Sequence, residues 1–175
     1  MSIQEIRSEL GEFAKDIKLN LGSVLTEEGS EGLSESQIYG IALSCAYATK
    51  NEKLIKAMQE DAYDVLSEAE VNAAQGAATI MAMNNIYYRF IHLVHDKDYG
   101  KMPPNLRMNI IGKHGINKID FELYSMAVSA INGCGMCMDS HADAIVRAGG
   151  TKVAVQSSIR IAAVVNATAQ ALTIV

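Results

Sequence analysis

The sequence predicts an all-α protein, a single helical domain of about seven helices that spans residues 1–175. Helix-forming residues dominate, and the β-branched alternation that marks strands is scarce. The chain has only two prolines, adjacent at Pro103-Pro104. Apolar residues make up 49% and charged residues 20%, a balance typical of a globular domain rather than of a disordered chain.

The helices are predicted near residues 2–20, 34–48, 51–65, 67–90, 119–131, 134–148 and 151–173. Thr151 is the expected N-cap of the last helix, and Gly149-Gly150 is the expected end of the helix before it. Gly, Pro and charged residues indicate loops over 26–32 and 96–117. The second loop is expected to hold a short turn of helix around 106–111.

A weak internal repeat indicates a duplicated helical unit. At an offset of 85 residues, the segment Ile38–Cys45 lies over Leu123–Ala130 with three identities. The same offset aligns alanines of two further helices, although alanine-rich helices also produce chance identities. The predicted halves are roughly 34–90 and 119–175, packed as one body, and only the second half holds a cysteine pair.

Charge and hydropathy exclude several classes of function. The net charge of −5 favours neither nucleic acid nor an anionic membrane surface. The longest uncharged stretch, 71–88, contains polar residues such as Asn84 and Asn85, so we expect no membrane-spanning helix. The first residues have no apolar segment of the kind that secretory signals require, and a cytoplasmic protein is predicted.

The chemistry is predicted to lie at a Cys-x-x-Cys pair, Cys134 and Cys137. Asn132-Gly133 ends one predicted helix, and Cys134 begins the next. Both cysteines then fall in a first turn, where free N–H groups and the positive end of the helix dipole stabilise a thiolate. A thiolate attacks peroxides and disulfides, so this placement predicts a redox-active pair rather than a structural disulfide. The third cysteine, Cys45, is interpreted as a small core residue.

Two further residues are predicted to move protons at this pair. Cys134, Cys137 and His141 stand at i, i+3 and i+7, on a single face of one helix. If the two helices fold back on each other, Glu122 lies roughly 16 Å and His141 roughly 13 Å from the bend. Glu122 would therefore meet His141 within one turn, where a carboxylate can orient the imidazole and keep it basic.

Plainer interpretations compete with each of these assignments. The sequence Cys-x-x-Cys-x-x-x-His could supply three ligands of a structural zinc site. The fourth ligand would then be a carboxylate or one of four residues, Cys45, His92, His95 or His114. Taken alone, His141 is a polar surface residue and Glu122 a solvated acid near a helix start. Covalent haem attachment is excluded as a motif, because Met138 rather than histidine follows Cys137.

Four residues resemble the motif of the alkylhydroperoxidase AhpD family in their types and spacing. They are Glu122, then after eleven residues the pair Cys134-x-x-Cys137, and after three more residues His141. That family is part of the carboxymuconolactone decarboxylase-like superfamily. The resemblance covers nearly the whole chain and includes the segments 13–20, 83–85, 88–89, 106–111 and 121–134. It departs at Met136, where family members carry histidine, so a proton-relay role at that position is absent here.

The resemblance implies an antioxidant enzyme of the oxidative stress response, an alkyl hydroperoxide reductase that acts as a lipoyl-dependent peroxidase. It also implies an all-α fold with an internal repeat and assembly as a homotrimer. Its reactions would be the reduction of hydroperoxides and of the disulfide of a partner peroxiredoxin, AhpC. By the family pattern, Cys137 is the attacking thiol, Cys134 the resolving thiol, and His141 and Glu122 relay protons. Electrons would come from dihydrolipoamide on a lipoyl-bearing acyltransferase, served by dihydrolipoamide dehydrogenase, with no tightly bound cofactor or metal.

Two other functions remain open at this point. One is a carboxymuconolactone decarboxylase-type enzyme, which shares the implied fold but has no use for paired thiols. The other is a zinc-stabilised helical interaction module. The sequence does not identify the preferred hydroperoxide or the physiological electron donor.

Overall fold

A computed structural model describes residues 1–174 of the chain and confirms the all-α prediction. Residue 175, the predicted end of the domain and of its second half, lies outside the described residues. The described part has eight α-helices: α1 Ile3–Glu9, α2 Lys15–Val24, α3 Glu35–Thr49, α4 Glu52–Tyr63, α5 Glu68–Leu93, α6 Lys118–Ile131, α7 Gly135–Arg147 and α8 Lys152–Leu172. Short 3₁₀ segments lie at Glu12–Ala14, Lys97–Lys101 and Asn109–Gly112.

The first predicted helix, 2–20, is wrong as a single element, because two helices occupy its place. Helix α1 begins at a capping box between Ser2 and Glu5 and ends before Leu10, which is extended. Leu10 and Ala14 instead pack with Ala171 in a small cluster apart from the main core. The break lets α1 lie against α4 while α2 lies against α8.

The remaining helices, α3 to α8, also begin at side-chain caps, of which Thr151 was the one predicted. Ser34 and Ser67 form capping boxes at the starts of α3 and α5. Thr151 caps α8 through a hydrogen bond from the Ala154 N–H, in agreement with its predicted role. Gly149 adopts a φ of +95° where α7 ends, a conformation that favours glycine.

The core forms where α3, α5, α6 and α8 pack against one another. Tyr124 of α6 is the largest fully buried side chain, and its hydroxyl has no hydrogen-bond partner among the described residues. Gly40 of α3 lets this ring approach closely, because a Cβ at that position would collide with the Tyr124 side chain. Helix α6 therefore lies close against α3 and also packs against α5, α7 and α8.

The order of the helices fits the offset found in the sequence. Moving α3, α4 and α5 forward by 85 residues brings each start within two residues of the starts of α6, α7 and α8. The duplication itself, with halves at 34–90 and 119–175, stays a prediction. Within residues 1–174, no helix is both long enough and apolar enough to cross a membrane.

Candidate active site

The cysteine pair lies at the sharp bend that joins α6 to α7. Gly133 has a φ of +70°, and the Cys134 N–H donates to the Ser129 carbonyl at 3.1 Å, which closes the turn. Cys134 is the N-cap of α7, and its Sγ accepts a hydrogen bond from the Cys137 N–H at 3.3 Å. The two sulfurs are bonded to each other as a disulfide. The bend thus presents both sulfurs at the positive end of α7.

The two sulfurs differ in access. Cys134 is fully buried, whereas Cys137 is 7% exposed and lines a pocket of about 460 Å³. Apolar side chains form most of the pocket wall, and they come from α5, from the 3₁₀ segment near residue 110 and from α7: Met81, Tyr88, Met108, Ile111, Met136 and Ala144. A small organic molecule in this pocket would meet Cys137 and would not reach Cys134.

His141 and Glu122 meet at the pocket wall. The Nδ1 of His141 lies 2.7 Å from Oε2 of Glu122, and the two side chains are only 15% and 14% exposed. Because a carboxylate only accepts hydrogen bonds, Nδ1 carries the hydrogen of this pair. The other ring nitrogen, Nε2, lies 3.4 Å from Sδ of Met81, a weak acceptor. The pair therefore fixes the imidazole at the pocket wall and leaves Nε2 without a strong partner among the described residues.

Helix α5 supports the bend from behind, through residues that the sequence analysis did not place in the site. Asn85 donates to the Ser129 hydroxyl at 2.9 Å and accepts from the Asn132 side chain at 3.0 Å. Arg89 donates from Nη1 to the main-chain carbonyl of Asn132. These bonds hold the residues immediately before Cys134. The signal available in the sequence was a pair of asparagines within an uncharged, alanine-rich helix.

Asn84 is a further unpredicted residue of the site, and it lies about 100° around the axis of α5 from Asn85. It is 5% exposed and lines the same pocket as Cys137. Its Oδ1 is buried without a hydrogen-bond partner among the described residues. A buried amide in this state is uncommon in folded proteins and calls for an explanation.

The residues named for a zinc site do not gather around the pair. Within residues 1–174, no group of three or more His, Cys, Asp or Glu side chains has the arrangement of a metal site. Cys45, one of the four proposed additional ligands, is the free cysteine and lies fully buried in α3. Burial raises the pKa of its thiol, which keeps Cys45 protonated and unreactive.

Comparison with known proteins places the chain in a family. The model of the carboxymuconolactone decarboxylase family matches residues 97–175. Three curated relatives, each named alkyl hydroperoxide reductase AhpD, match nearly end to end. The protein of Coxiella burnetii strain Dugway is 55% identical over 96% of this chain and 95% of its own length. That of Beijerinckia indica is 49% identical over 98% and 94%, and that of Brucella anthropi 46% over 98% and 97%.

Proposed function

The chain belongs to the AhpD family of alkyl hydroperoxide reductases, and from this premise we propose that it is an antioxidant thiol oxidoreductase. It reduces organic hydroperoxides, and the disulfide of an AhpC-type peroxiredoxin, through a reversible Cys134–Cys137 disulfide. One observation carries the proposal: the two cysteines are bonded, and one of them opens into an apolar pocket beside a histidine–carboxylate pair.

In the oxidative half-reaction, His141 takes the proton of the Cys137 thiol, and the thiolate attacks the distal oxygen of the hydroperoxide. The S–O bond forms as the O–O bond breaks, and the departing alkoxide receives the proton from His141 as the alcohol. Cys134 then attacks the Cys137 sulfenic acid, which forms the disulfide and releases water. With a peroxiredoxin disulfide as substrate, the same two attacks pass through a mixed disulfide instead.

The burial of the two sulfurs supports this order of attack. Cys137 meets the pocket, whereas Cys134 lies behind it and can reach only its neighbour. The Cys137 N–H that points at Cys134 Sγ also stabilises negative charge on that sulfur. When an external thiol attacks Cys137, Cys134 is thus the better leaving thiolate, which favours reopening of the disulfide.

We propose dihydrolipoamide as the reductant, delivered by a lipoyl-bearing acyltransferase and renewed by dihydrolipoamide dehydrogenase. A narrow dithiol on a flexible arm suits a pocket whose walls are mostly apolar. The two thiols of dihydrolipoamide pass two electrons to the Cys134–Cys137 disulfide. The protein regains its two thiols, and the donor leaves as lipoamide, with its own sulfurs bonded to each other. Since the disulfide must be reopened after each turnover, a reducing compartment, the cytoplasm, is the proposed location.

We further propose that the chain assembles as a homotrimer. Three large apolar side chains, Ile86, Phe90 and Leu93, are exposed on one face of α5 at i, i+4 and i+7. The ring of Tyr99 lies edge-on to Phe90, with the centroids 5.3 Å apart, and extends this surface. An apolar strip of this kind supports burial against other copies of the chain.

Thiol titration tests the catalytic proposal. We expect the reduced chain to lose two thiols on addition of an alkyl hydroperoxide and to recover both on addition of dihydrolipoamide. Cys137→Ser should abolish both the loss and the turnover, whereas Cys45→Ser, which lies outside the pocket, should leave both unchanged. Full peroxide turnover by Cys137→Ser would contradict the proposal. So would turnover of a lactone that continues after the thiols of the protein have been alkylated.

A further inference from the structure

The pocket beside Cys137 contains one hydroxyl group for which the catalytic cycle above has no role, that of Tyr88. Tyr88 belongs to α5, lines the pocket and is partly exposed. Its hydroxyl lies 3.9 Å from Sδ of Met108, which also lines the pocket, and a thioether is a weak acceptor. This contact places the hydroxyl at the pocket wall, where it can exchange a weak partner for a stronger one.

Contacts of α5 with its neighbours show at which end of the pocket Tyr88 lies. Met81 contacts the ring of His141, which stands one turn beyond the pocket cysteine. About two turns further along α5, Arg89 bonds to the main chain of Asn132, at the bend itself. Tyr88 directly precedes Arg89 and lines the same pocket as Met81. The Tyr88 side chain therefore lies toward the cysteine end of the pocket.

The other polar groups on the pocket wall are less suitable as donors to a substrate at this end. His141 donates its Nδ1–H to Glu122, and its Nε2 is the atom that takes the thiol proton. Asn84 is almost fully buried, and its amide oxygen is closed off from the pocket. Ser140 and Arg147 are exposed, so water competes for their hydrogen bonds. Arg147 also stands about 15 Å along α7 from the pocket cysteine.

We propose that Tyr88 is a catalytic residue, whose hydroxyl donates a hydrogen bond to the oxygen that leaves as alkoxide when Cys137 attacks the hydroperoxide. This inference rests on the proposed function and deepens its oxidative half-reaction. The attack forms the S–O bond to the distal oxygen and breaks the O–O bond. Negative charge thereby moves from the sulfur to the oxygen that carries the alkyl group.

A donor at this oxygen speeds the reaction because the charge develops only as the O–O bond breaks. The hydrogen bond is then stronger in the transition state than in the bound hydroperoxide. Tyr88 transfers no proton in this step. The hydrogen of the hydroperoxide stays on the distal oxygen, which becomes the sulfenic hydroxyl, and His141 supplies the proton that turns the alkoxide into the alcohol.

The reopening of the disulfide makes no such demand on Tyr88. Its leaving group is the thiolate of Cys134, which is fully buried and accepts from the Cys137 N–H. No alkoxide forms when an external thiol attacks Cys137. Loss of the Tyr88 hydroxyl should therefore slow one half of the cycle only.

The test replaces Tyr88 with phenylalanine in the full chain and measures the second-order rate constant for loss of thiols after the reduced protein is mixed with peroxide. With tert-butyl hydroperoxide, whose leaving group is a strongly basic alkoxide, we expect a fall of about tenfold to a hundredfold, the value of one hydrogen bond to a charged group. With peracetic acid, whose leaving group is the weakly basic acetate, the fall should be at most about twofold. Reopening by dihydrolipoamide and the thermal midpoint Tm should stay at their wild-type values, because the ring is kept.

Tyr87→Phe is the matched control. It makes the same change at the neighbouring residue of α5, whose ring lies edge-on to that of Tyr88 with the centroids 5.3 Å apart, and it does not line the pocket. Its rates with both peroxides should equal those of the wild type. If Tyr87→Phe slows thiol loss as much as Tyr88→Phe does, the effect comes from ring packing on α5 and the inference is overturned.

Three other results would overturn the inference while the proposed function stands. They are an unchanged rate with tert-butyl hydroperoxide, an equal fall with both peroxides, and an equal slowing of disulfide reopening. The last two would make Tyr88 a general support of the site. Because both peroxides are compared within one variant, the ratio of their rates does not depend on how much of that variant is folded. A wild-type chain that loses no thiols to hydroperoxide would be a different failure, because it refutes the proposed function itself.

Discussion

Replacing Glu122 with glutamine is the sharpest test of the proton relay. The change keeps the shape of the side chain and removes its charge. In the structure Oε2 lies 2.7 Å from Nδ1 of His141, and both side chains are mostly shielded from water, so salt screens the pair little. A hydrogen bond to a charged group contributes about 1.5–3 kcal/mol and a neutral one about 0.5–1.5 kcal/mol. The loss of roughly 1–1.5 kcal/mol corresponds to a rate about tenfold lower.

The assay is single-turnover loss of thiols after the reduced chain is mixed with an alkyl hydroperoxide. His141→Asn removes the proton carrier itself, and we expect a loss of about a hundredfold or more. Because Glu122 acts through the imidazole, the double variant should be no slower than His141→Asn alone. If the two losses multiply, the carboxylate acts independently of His141 and the reasoning is refuted.

Asp120→Asn provides the matched control for this cycle. It makes the same carboxylate-to-amide change on the same helix, at a residue that accepts a hydrogen bond from Gln37 and does not line the pocket. The rate of thiol loss should therefore stay at the wild-type value. If Asp120→Asn slows thiol loss as much as Glu122→Gln does, the effect comes from negative charge on α6 in general and not from the contact with His141.

Three further predictions concern other parts of the chain. Because Cys45 and Cys134 are fully buried and burial raises the pKa of the Cys45 thiol, an alkylating reagent should label Cys137 alone in the native reduced chain and all three cysteines after denaturation, assigned by mass spectrometry; a native label on Cys45 would contradict this. Ile86→Glu, at a side chain 64% exposed, should lower the oligomer mass in light scattering, and an unchanged mass would remove α5 as the interface. Gly40→Ala forces a methyl group against Tyr124 and should cost about 1–3 kcal/mol of unfolding free energy in urea titration; an unchanged midpoint would show that the core yields there.

Local signals in the sequence were sufficient for most of the fold. Helix starts at Ser34, Ser67 and Thr151 were predictable because each cap acts within its own turn. The break after α1 was not, since one glycine costs a helix only about 1 kcal/mol and does not by itself end it. What ends α1 is the packing of Leu10 beside Ala171, a contact between the two ends of the chain.

The candidate site also has one part that the sequence predicted and one part that it did not. The approach of Glu122 to His141 followed from helix rise and a bend between two adjacent helices, and the structure has them in contact. Asn84 and Met81 come from α5, far away in sequence, and no spacing rule indicates which face of an alanine-rich helix meets the cysteines. The polar pair at residues 84 and 85 marked α5 as unusual without indicating its neighbour.

The anchoring of the bend by Asn85 and Arg89 has a consequence for recognition. The bonds that hold Asn132 do not involve either sulfur, so we expect the main chain before Cys134 to stay in place when the disulfide is made or broken. We then expect the oxidised and reduced forms to have nearly the same outer surface. An electron donor and an electron acceptor would dock on one unchanging face, and the direction of electron flow would be decided by the sulfur chemistry rather than by a change in shape.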